Sequence, residues 1–248
     1  MKGVILAGGL GTRLYPLTYA TNKHLLPVYD KPMIFYPINT LVQAGIKDVM
    51  VVTGGPHAGH FLRVLRNGKE LGLNNLAYAV QEGERGIAAA LSLAEEYVDG
   101  ENVCVILGDN CTDADIHKDV VTFEEGARIF LKEVEDPQRF GVPAFNDEGK
   151  IIKLTEKPVS PDSNFAITGL YFYDKSVFDR IRKLKPSDRG ELEVTDLNQS
   201  YLDDNKLGWA MLNGFWKDAG TYETLIEVGT YWWKKRLEEG SALGRERK

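Results

Sequence analysis

The sequence has little cysteine. Cys104 and Cys111 are the only two in 248 residues, and they form no CxxC pair. A disulfide framework and a structural zinc site are both set aside. Cys104 lies inside an apolar run and reads as a small core residue. An excess of positive charge is also lacking. The formal net charge is −6, which argues against a nucleic-acid partner. No apolar run approaches the roughly 20 residues that span a bilayer, so no membrane partner is expected. The N-terminus carries one lysine and then a short strand-like run, unlike a signal peptide. These absences lead to the expectation of a cytoplasmic, soluble protein. At 43% hydrophobic and 27% charged residues, the composition is that of an ordinary globular chain.

What is present is an alternation. KGVILAG, DVMVVTGG and NVCVILGDN are short continuous apolar runs that read as buried strands, and LAYAVQ reads as a further strand. Between them lie helical patterns. PMIFYPINTLVQAGIKD can place Met33, Ile34, Ile38, Leu41 and Val42 on one face before stopping at Gly45. HAGHFLRVLRN and the alanine-rich GIAAALSLAEEYV are the next two helices. Fully apolar strands alternating with helices predict a parallel sheet covered on both faces. The second half adds strand-like runs at GARIFLKEV, FGVPAFN, GKIIKLTEKP and FAITGLYFYD. Helices are expected at SVFDRIRKL and LNQSYLDDN, and strand again across LGWAMLNGFWKDAG. TYETLIEVGTYWWKKRLEE reads as a closing helix. The expected fold is a single α/β domain over residues 1–240, a Rossmann-like three-layer sandwich with a mixed, mostly parallel central sheet. Residues 241–248 are expected to be a frayed, disordered tail.

The stretch LAGGLGTRLYPLT, Leu6 to Thr18, directly follows the first strand. A glycine-rich turn in that position suits an anion, because backbone N–H groups approach it with no Cβ in the way. The GxxxxGK[ST] phosphate loop does not fit. The dinucleotide pattern fits at Gly9 and Gly11 but meets Leu14 at its third glycine. Arg13 and Lys23 flank the turn with positive charge, which suits a triphosphate undergoing transfer. Asp109 ends the apolar run VCVILGD, where open α/β sheets bind ligands, although Gly-Asp-Asn is also good turn chemistry. Asp218 follows Phe215 and Trp216 and could equally cap a helix beginning near Thr221. Glu156-Lys157-Pro158 could be a surface ion pair before a turn.

GGLGTRLYPLT and NKHLLPVYDKPMI together resemble the opening of the sugar nucleotidyltransferases, in particular the branch that acts on dTTP and glucose 1-phosphate. The likeness continues through AVQ, LGDN, RFGV, EKP, NFAITGLYFYD, RGELEVTD and WKDAGT, nearly to the last helix. It implies a nucleotide site at Leu6, Gly8, Gly9, Gly11, Thr12, Arg13, Gln81, Gly86 and Asp109. It implies a sugar-phosphate site at Gly141, Glu156, Lys157, Ile167, Tyr171 and Arg189. Arg13, Lys23 and Lys157 would be the catalytic cations, and Asp109 and Asp218 would hold Mg2+. The reaction so implied is attack by the sugar phosphate on the α-phosphorus of dTTP, releasing pyrophosphate and forming dTDP-glucose. A uridylyltransferase of the same fold and a non-catalytic nucleotide sensor remain alternatives. The resemblance also implies a homo-oligomer. One departure is the run Gly86-Ile87-Ala88-Ala89, with alanine where the family often has glutamine. Longer members carry a helical extension after the equivalent of Trp232, so a short-form member is expected.

Other features carry plainer expectations. Asp113-Ala114-Asp115 resembles the DxD metal motif of glycosyltransferases, but short acidic loops are common. His57 and His60 are spaced like metal ligands but lack a third, so a solvated helix start is expected. Trp232 and Trp233 suggest packing or a subunit contact. Lys234, Lys235 and Arg236 suggest a solvated face.

Overall fold

The computed structural model describes residues 1–83 and 85–245, with side chains through Glu239. Strand β1 (Lys2–Ala7) leads through the short β2 (Pro27–Val28) and β3 (Lys31–Pro32) to helix α1 (Phe35–Gln43). Then come β4 (Asp48–Gly54), α2 (Ala58–Leu65), β5 (Asn75–Gln81), α3 (Ile87–Ser92), α4 (Glu95–Val98), β6 (Val103–Leu107), β7 (Asn110–Thr112) and α5 (His117–Val121). The second half contains β8 (Ala127–Glu133), β9 (Gly141–Phe145), β10 (Ile151–Glu156), β11 (Phe165–Tyr173), α6 (Val177–Ile181) and α7 (Val194–Asp203). It closes with β12 (Leu207–Met211), β13 (Trp216–Asp218) and α8 (Tyr222–Arg245).

The main sheet runs β10-β9-β11-β6-β1-β4-β5, with β8 also paired to β11 and β12 paired to β8. The strands from β6 to β5 are mutually parallel, and β11 joins β6 antiparallel. Along β1, Val4 and Leu6 enter one core cluster while Ile5 and Ala7 enter the one on the opposite face. Successive strand residues point to opposite faces, so a strand apolar throughout must be covered on both. The expected three-layer α/β fold follows from that burial.

The topology also places a crevice. The chain builds β4 and β5 on one side of β1, then returns to lay β6 on the other. Ligands in open α/β sheets bind beyond the carboxyl ends of strands at such a reversal. The loops leaving β1 and β6 meet there, and Gly108 N–H donates to the Leu6 carbonyl at 2.9 Å.

Three expectations change. The helix over GIAAALSLAEEYV is two short helices, because the turn between them tightens. A spacing of three residues per turn keeps Ala88, Leu91 and Ala94 aligned on the buried face. The strand over LGWAMLNGFWKDAG is two strands in different sheets, separated by a turn at Gly214 with φ 82°. The closing helix continues to Arg245, into the segment expected to be a frayed tail, whose residues 246–248 lie outside the described residues. Among the described residues, no helix is long and apolar enough to cross a membrane.

Candidate active site

The crevice is a cavity of about 720 Å3. Every expected site residue lines it except Gly11. Gly11 lies behind the turn with φ +69°, and a Cβ there would stand 2.8 Å from the Lys23 Cβ. It supports the loop that carries Arg13. Gly8 is needed for a different reason. A Cβ there would stand 2.8 Å from Gln81 Oε1, so the missing side chain lets Gln81 reach across the end of β1.

The two aspartates, far apart in sequence, are brought together by the pairing of β13 with β7. Asp218 is the register partner of Asn110, and Ala219 N–H donates to the Asp109 carbonyl at 2.8 Å. Their acidities separate. Burial opposes ionisation of Asp109, but the Lys23 ammonium at 2.5 Å and the Asn110 amide hold its carboxyl well below the usual range. Burial and the neighbouring Asp109 charge push Asp218 up to about 6, against the pull of Arg139, Arg13 and Lys23. Adjacent carboxylates with opposed shifts mark a place where charge is stored rather than merely tolerated. Arg139 reaches Asp218 Oδ2 at 3.5 Å. Gly220 makes room for the third cation, since a Cβ there would stand 2.9 Å from Arg13 Nη2.

Lys23 is aimed by the turn that holds it. Asn22 Oδ1 accepts from the His24 backbone N–H at 3.0 Å and lies 2.6 Å from His24 Nδ1. His24 is buried, and burial together with the Lys23 charge pushes its pKa down to about 3. It is a neutral wedge beside two working charges. Asn110 fixes the acids. Its Oδ1 accepts from Gly169 N–H at 3.0 Å and Trp216 Nε1–H at 2.7 Å, and its Nδ2 donates to Asp109 Oδ1 at 3.1 Å.

At the other end of the cavity, Gly141 pairs in register with both Glu156 and Ile167. Thr195 Oγ1 donates to Glu156 Oε2 at 2.5 Å. Lys157 Nζ and Arg189 Nη2 lie 3.4 and 3.8 Å from Glu156. Arg189 is held by both oxygens of Glu193 at 2.9 Å. The two ends are clasped. Ala88 N–H donates to the Leu192 carbonyl at 3.2 Å, and Leu192 N–H donates to the Arg85 carbonyl at 2.9 Å. Gly86 lies inside that clasp with φ +91°, where a Cβ would stand 2.5 Å from the Leu192 oxygen.

Sequence reasoning assigned no role to Asn110, Arg139, Thr195, Trp216 or Gly220. Each lies within a fragment that carries the resemblance: LGDN, RFGV, RGELEVTD or WKDAGT. Their roles depend on partners distant in the chain, so the fragments alone could not reveal them. The DxD-like stretch is structural. Asp113 accepts from Phe215 N–H at 2.7 Å, from Lys235 Nζ at 2.6 Å and from the Tyr231 hydroxyl. Lys235 therefore anchors α8 rather than joining a solvated face. The His57 and His60 rings pack at 5.1 Å and do not line the cavity. Trp232 packs on Tyr36 at 4.9 Å, whereas Trp233 is exposed.

Comparison with known proteins gives a consistent result. The nucleotidyl transferase family profile matches residues 2–234. A glucose-1-phosphate thymidylyltransferase of Neisseria meningitidis is 45% identical over 93% of this chain and 82% of that protein. One from Mycolicibacterium smegmatis is 41% identical over 98% of this chain and 86% of that protein. A Bacillus anthracis protein described as a glucose-1-phosphate thymidylyltransferase, solved with sucrose, superposes with a TM-score of 0.88. It is 46% identical, covering 93% of this chain and 94% of that one. A UDP-glucose pyrophosphorylase solved with UDP-glucose shares the fold, with a TM-score of 0.81 at 23% identity over 94% of this chain and 98% of that one.

Proposed function

The chain belongs to the nucleotidyl transferase family, and from that premise we propose that it transfers a thymidylyl group from dTTP to glucose 1-phosphate, forming dTDP-glucose and pyrophosphate. The observation that carries this reading is the meeting of Asp109 and Asp218 at the sheet's switch point. Arg13, Lys23 and Arg139 gather beside them, and Lys157 and Arg189 lie across the same cavity. A phosphate monoester carrying roughly −1.5 to −2 charge must approach a triphosphate. Repulsion and misalignment are the obstacles, and positioned cations answer both. The nucleophile is already an anion, so no side-chain base is required at the reacting centre.

In this assignment Gly8, Gly9, Thr12 and Arg13 cradle the triphosphate, with Leu6 beneath, and Gln81 and Gly86 face the base. Gly141, Glu156 and Ile167 hold the sugar, with Tyr171 walling the site. Lys157 and Arg189 take its phosphate. Glu156 is fixed by Thr195 and therefore offers a rigid acceptor for sugar hydroxyls. Lys23 pairs with Asp109 and is placed to turn toward phosphate oxygen.

The acid pair fits a divalent ion. Among the described residues no group of three or more His, Cys, Asp or Glu side chains could hold a metal. Magnesium needs only one or two carboxylates when phosphates and water complete its shell. Asp109 and Asp218 would hold Mg2+, and a cation there would relieve both the burial of the Asp218 charge and its repulsion by Asp109. When bound, the ion supplies charge neutralisation at the phosphates. We assign the reaction to one unit over residues 1–240, acting on soluble substrates in the cytoplasm.

The test is pyrophosphate release with dTTP or UTP against a panel of sugar 1-phosphates, with magnesium present. Turnover with dTTP and glucose 1-phosphate is expected. Turnover confined to UTP would reassign the base, and nucleotide binding without release would make the protein a sensor.

A further inference from the structure

Each acid of the pair has a cation of its own. Lys23 Nζ lies 2.5 Å from Asp109 Oδ2, and Arg139 Nη2 lies 3.5 Å from Asp218 Oδ2. The two pairs are built differently. Lys23 sits on its acid at full contact. Arg139 is divided between two carboxylates: Nη1 donates to Asp136 Oδ2 at 2.7 Å, while Nη2 meets Asp218 at the long limit of a hydrogen bond. A guanidinium is a rigid planar fork with donors on both teeth. Here one tooth is fixed and the other is loosely engaged. The guanidinium carbon also lies 5.4 Å from the centre of the Phe140 ring, which packs on Trp216 at 5.6 Å. Resting on the nucleotidyl-transfer reading above, we propose that Arg139 is a further catalytic residue, which passes from Asp218 to the oxygens of the transferred α-phosphoryl group when Asp218 takes up the divalent ion.

Its place in the cavity fits that role. Arg139 ends a short turn, Pro137–Arg139, that runs into β9 at Gly141. The Phe140 carbonyl between them accepts from Lys157 N–H at 2.9 Å. On the other side, a Cβ on Gly220 would stand 3.4 Å from Asp218 Oδ2 and 2.9 Å from Arg13 Nη2. Arg139 therefore stands between the arginine of the glycine-rich turn and the lysine of the sugar-phosphate end, and all three line the cavity. That is the junction where the phosphates of the two substrates must meet. The charges fit as well. Two aspartates balance two cations, and a divalent ion held by both acids would bring the same charge and release both cations toward the phosphates. In the transfer, a sugar-phosphate oxygen bonds to the α-phosphorus as the bond from that phosphorus to the β-phosphate oxygen breaks. The electron pair of the broken bond leaves on pyrophosphate, and no proton needs to move. The burden falls on charge at the outer oxygens of the transferred group. A planar fork with one tooth anchored by Asp136 meets those oxygens at a fixed place.

Metal binding and turnover are measured separately. The full chain, without nucleotide, is titrated with manganese(II) as a paramagnetic stand-in for magnesium, and bound metal is read by electron paramagnetic resonance. The titration is run at about pH 8, above the Asp218 value of about 6. Arg139→Gln removes a positive charge that competes for Asp218. Manganese should then bind ~10-fold more tightly, the scale of one unit charge a few ångströms away in a partly screened site. The same variant should lose turnover ~10³-fold with KM for both substrates little changed, as expected of an arginine that acts on the transferred phosphoryl group. An arginine that only propped up the acid pair would weaken metal binding and turnover together. Arg139→Lys keeps the charge and loses the fork. Its manganese affinity should stay near native while turnover falls ~10–100-fold, and it decides the question if the glutamine variant fails to fold. Weaker or unchanged manganese binding in Arg139→Gln, or near-native turnover in either variant, would overturn the proposal. A native chain that releases pyrophosphate from no pair of nucleoside triphosphate and sugar 1-phosphate would overturn the nucleotidyl-transfer reading itself. Failure of the variants in an active native chain overturns the role of Arg139 alone.

Discussion

Asn110→Ala tests how the acid pair is held. Asn110 is 2% exposed and makes three hydrogen bonds: two accepted, from Gly169 N–H and Trp216 Nε1–H, and one donated to Asp109. Alanine cannot replace any of them. Two donors would be left facing a short methyl side chain, each costing about 1–3 kcal/mol when buried without a partner. The expected loss of stability is therefore about 2–6 kcal/mol, read by urea unfolding. The substitution has a second effect. Asp109 loses a donor that favours its ionised form, and β7 loses the side chain that ties it to both Gly169 and Trp216. Groups that orient a metal ligand are typically worth 10–100-fold in metal affinity or activity. The magnesium concentration for half-maximal pyrophosphate release should rise by about that factor. A variant less than about 1 kcal/mol destabilised, with unchanged magnesium dependence, would refute the reasoning.

Asp109→Ala should lower turnover ~10³-fold or more in a folded protein, on the scale of charge-stabilising groups in phosphoryl transfer; near-normal pyrophosphate release would count against its role. Asp218→Asn should abolish turnover yet raise the metal-free melting temperature by a few degrees, because the burial of a charge and the Asp109 repulsion that together push Asp218 up to about 6 both disappear; an unchanged or lower melting temperature would contradict this. Gly86→Ala should cost about 1–3 kcal/mol from its glycine-only backbone conformation (φ 91°, ψ 168°) alone, and the collision with Leu192 should add to that and raise KM for both substrates; a KM change for only one would show that the clasp does not couple the two ends. Asp174 is expected to shape the acid limb of stability. Burial would raise its pKa, but Ser176, Gly126 N–H and the Tyr201 hydroxyl hold it lowered. Its contribution is therefore full above the unfolded value of about 3.9 and lost as pH falls through the folded value. Asp174→Asn should flatten the stability profile below about pH 4, and an unchanged profile would remove Asp174 from the account.

The strands around β1 and the parallel core were legible because their information is local. An unbroken apolar run bounded by glycines has few other uses, and burial on both faces follows from it. The loop from Gly8 to Arg13 was legible for the same reason, and the order of the family fragments identified the chemistry. The limits of local reading appear at particular residues. Asp113 reads as part of a common short acidic loop in the sequence, yet the fold uses it to dock α8 through Lys235. Lys235 sits in a basic run that looks solvated, yet it is half of that anchor. LGWAMLNGFWKDAG looks like one strand, yet the turn at Gly214 sends its two halves to different sheets.

By itself, the sequence determined which segments around β1 would be strands, that a glycine-rich turn follows the first of them, and which family the chain resembles. Only the tertiary structure decided which charges meet. Asp218 reaches Asp109 because β13 pairs with β7, Lys23 reaches Asp109 because β1 and β6 are neighbours, and Arg139 reaches Asp218 from a third segment. Burial and backbone geometry follow from near neighbours along the chain. The acidity of a carboxylate follows from whatever charges the completed fold brings within a few ångströms.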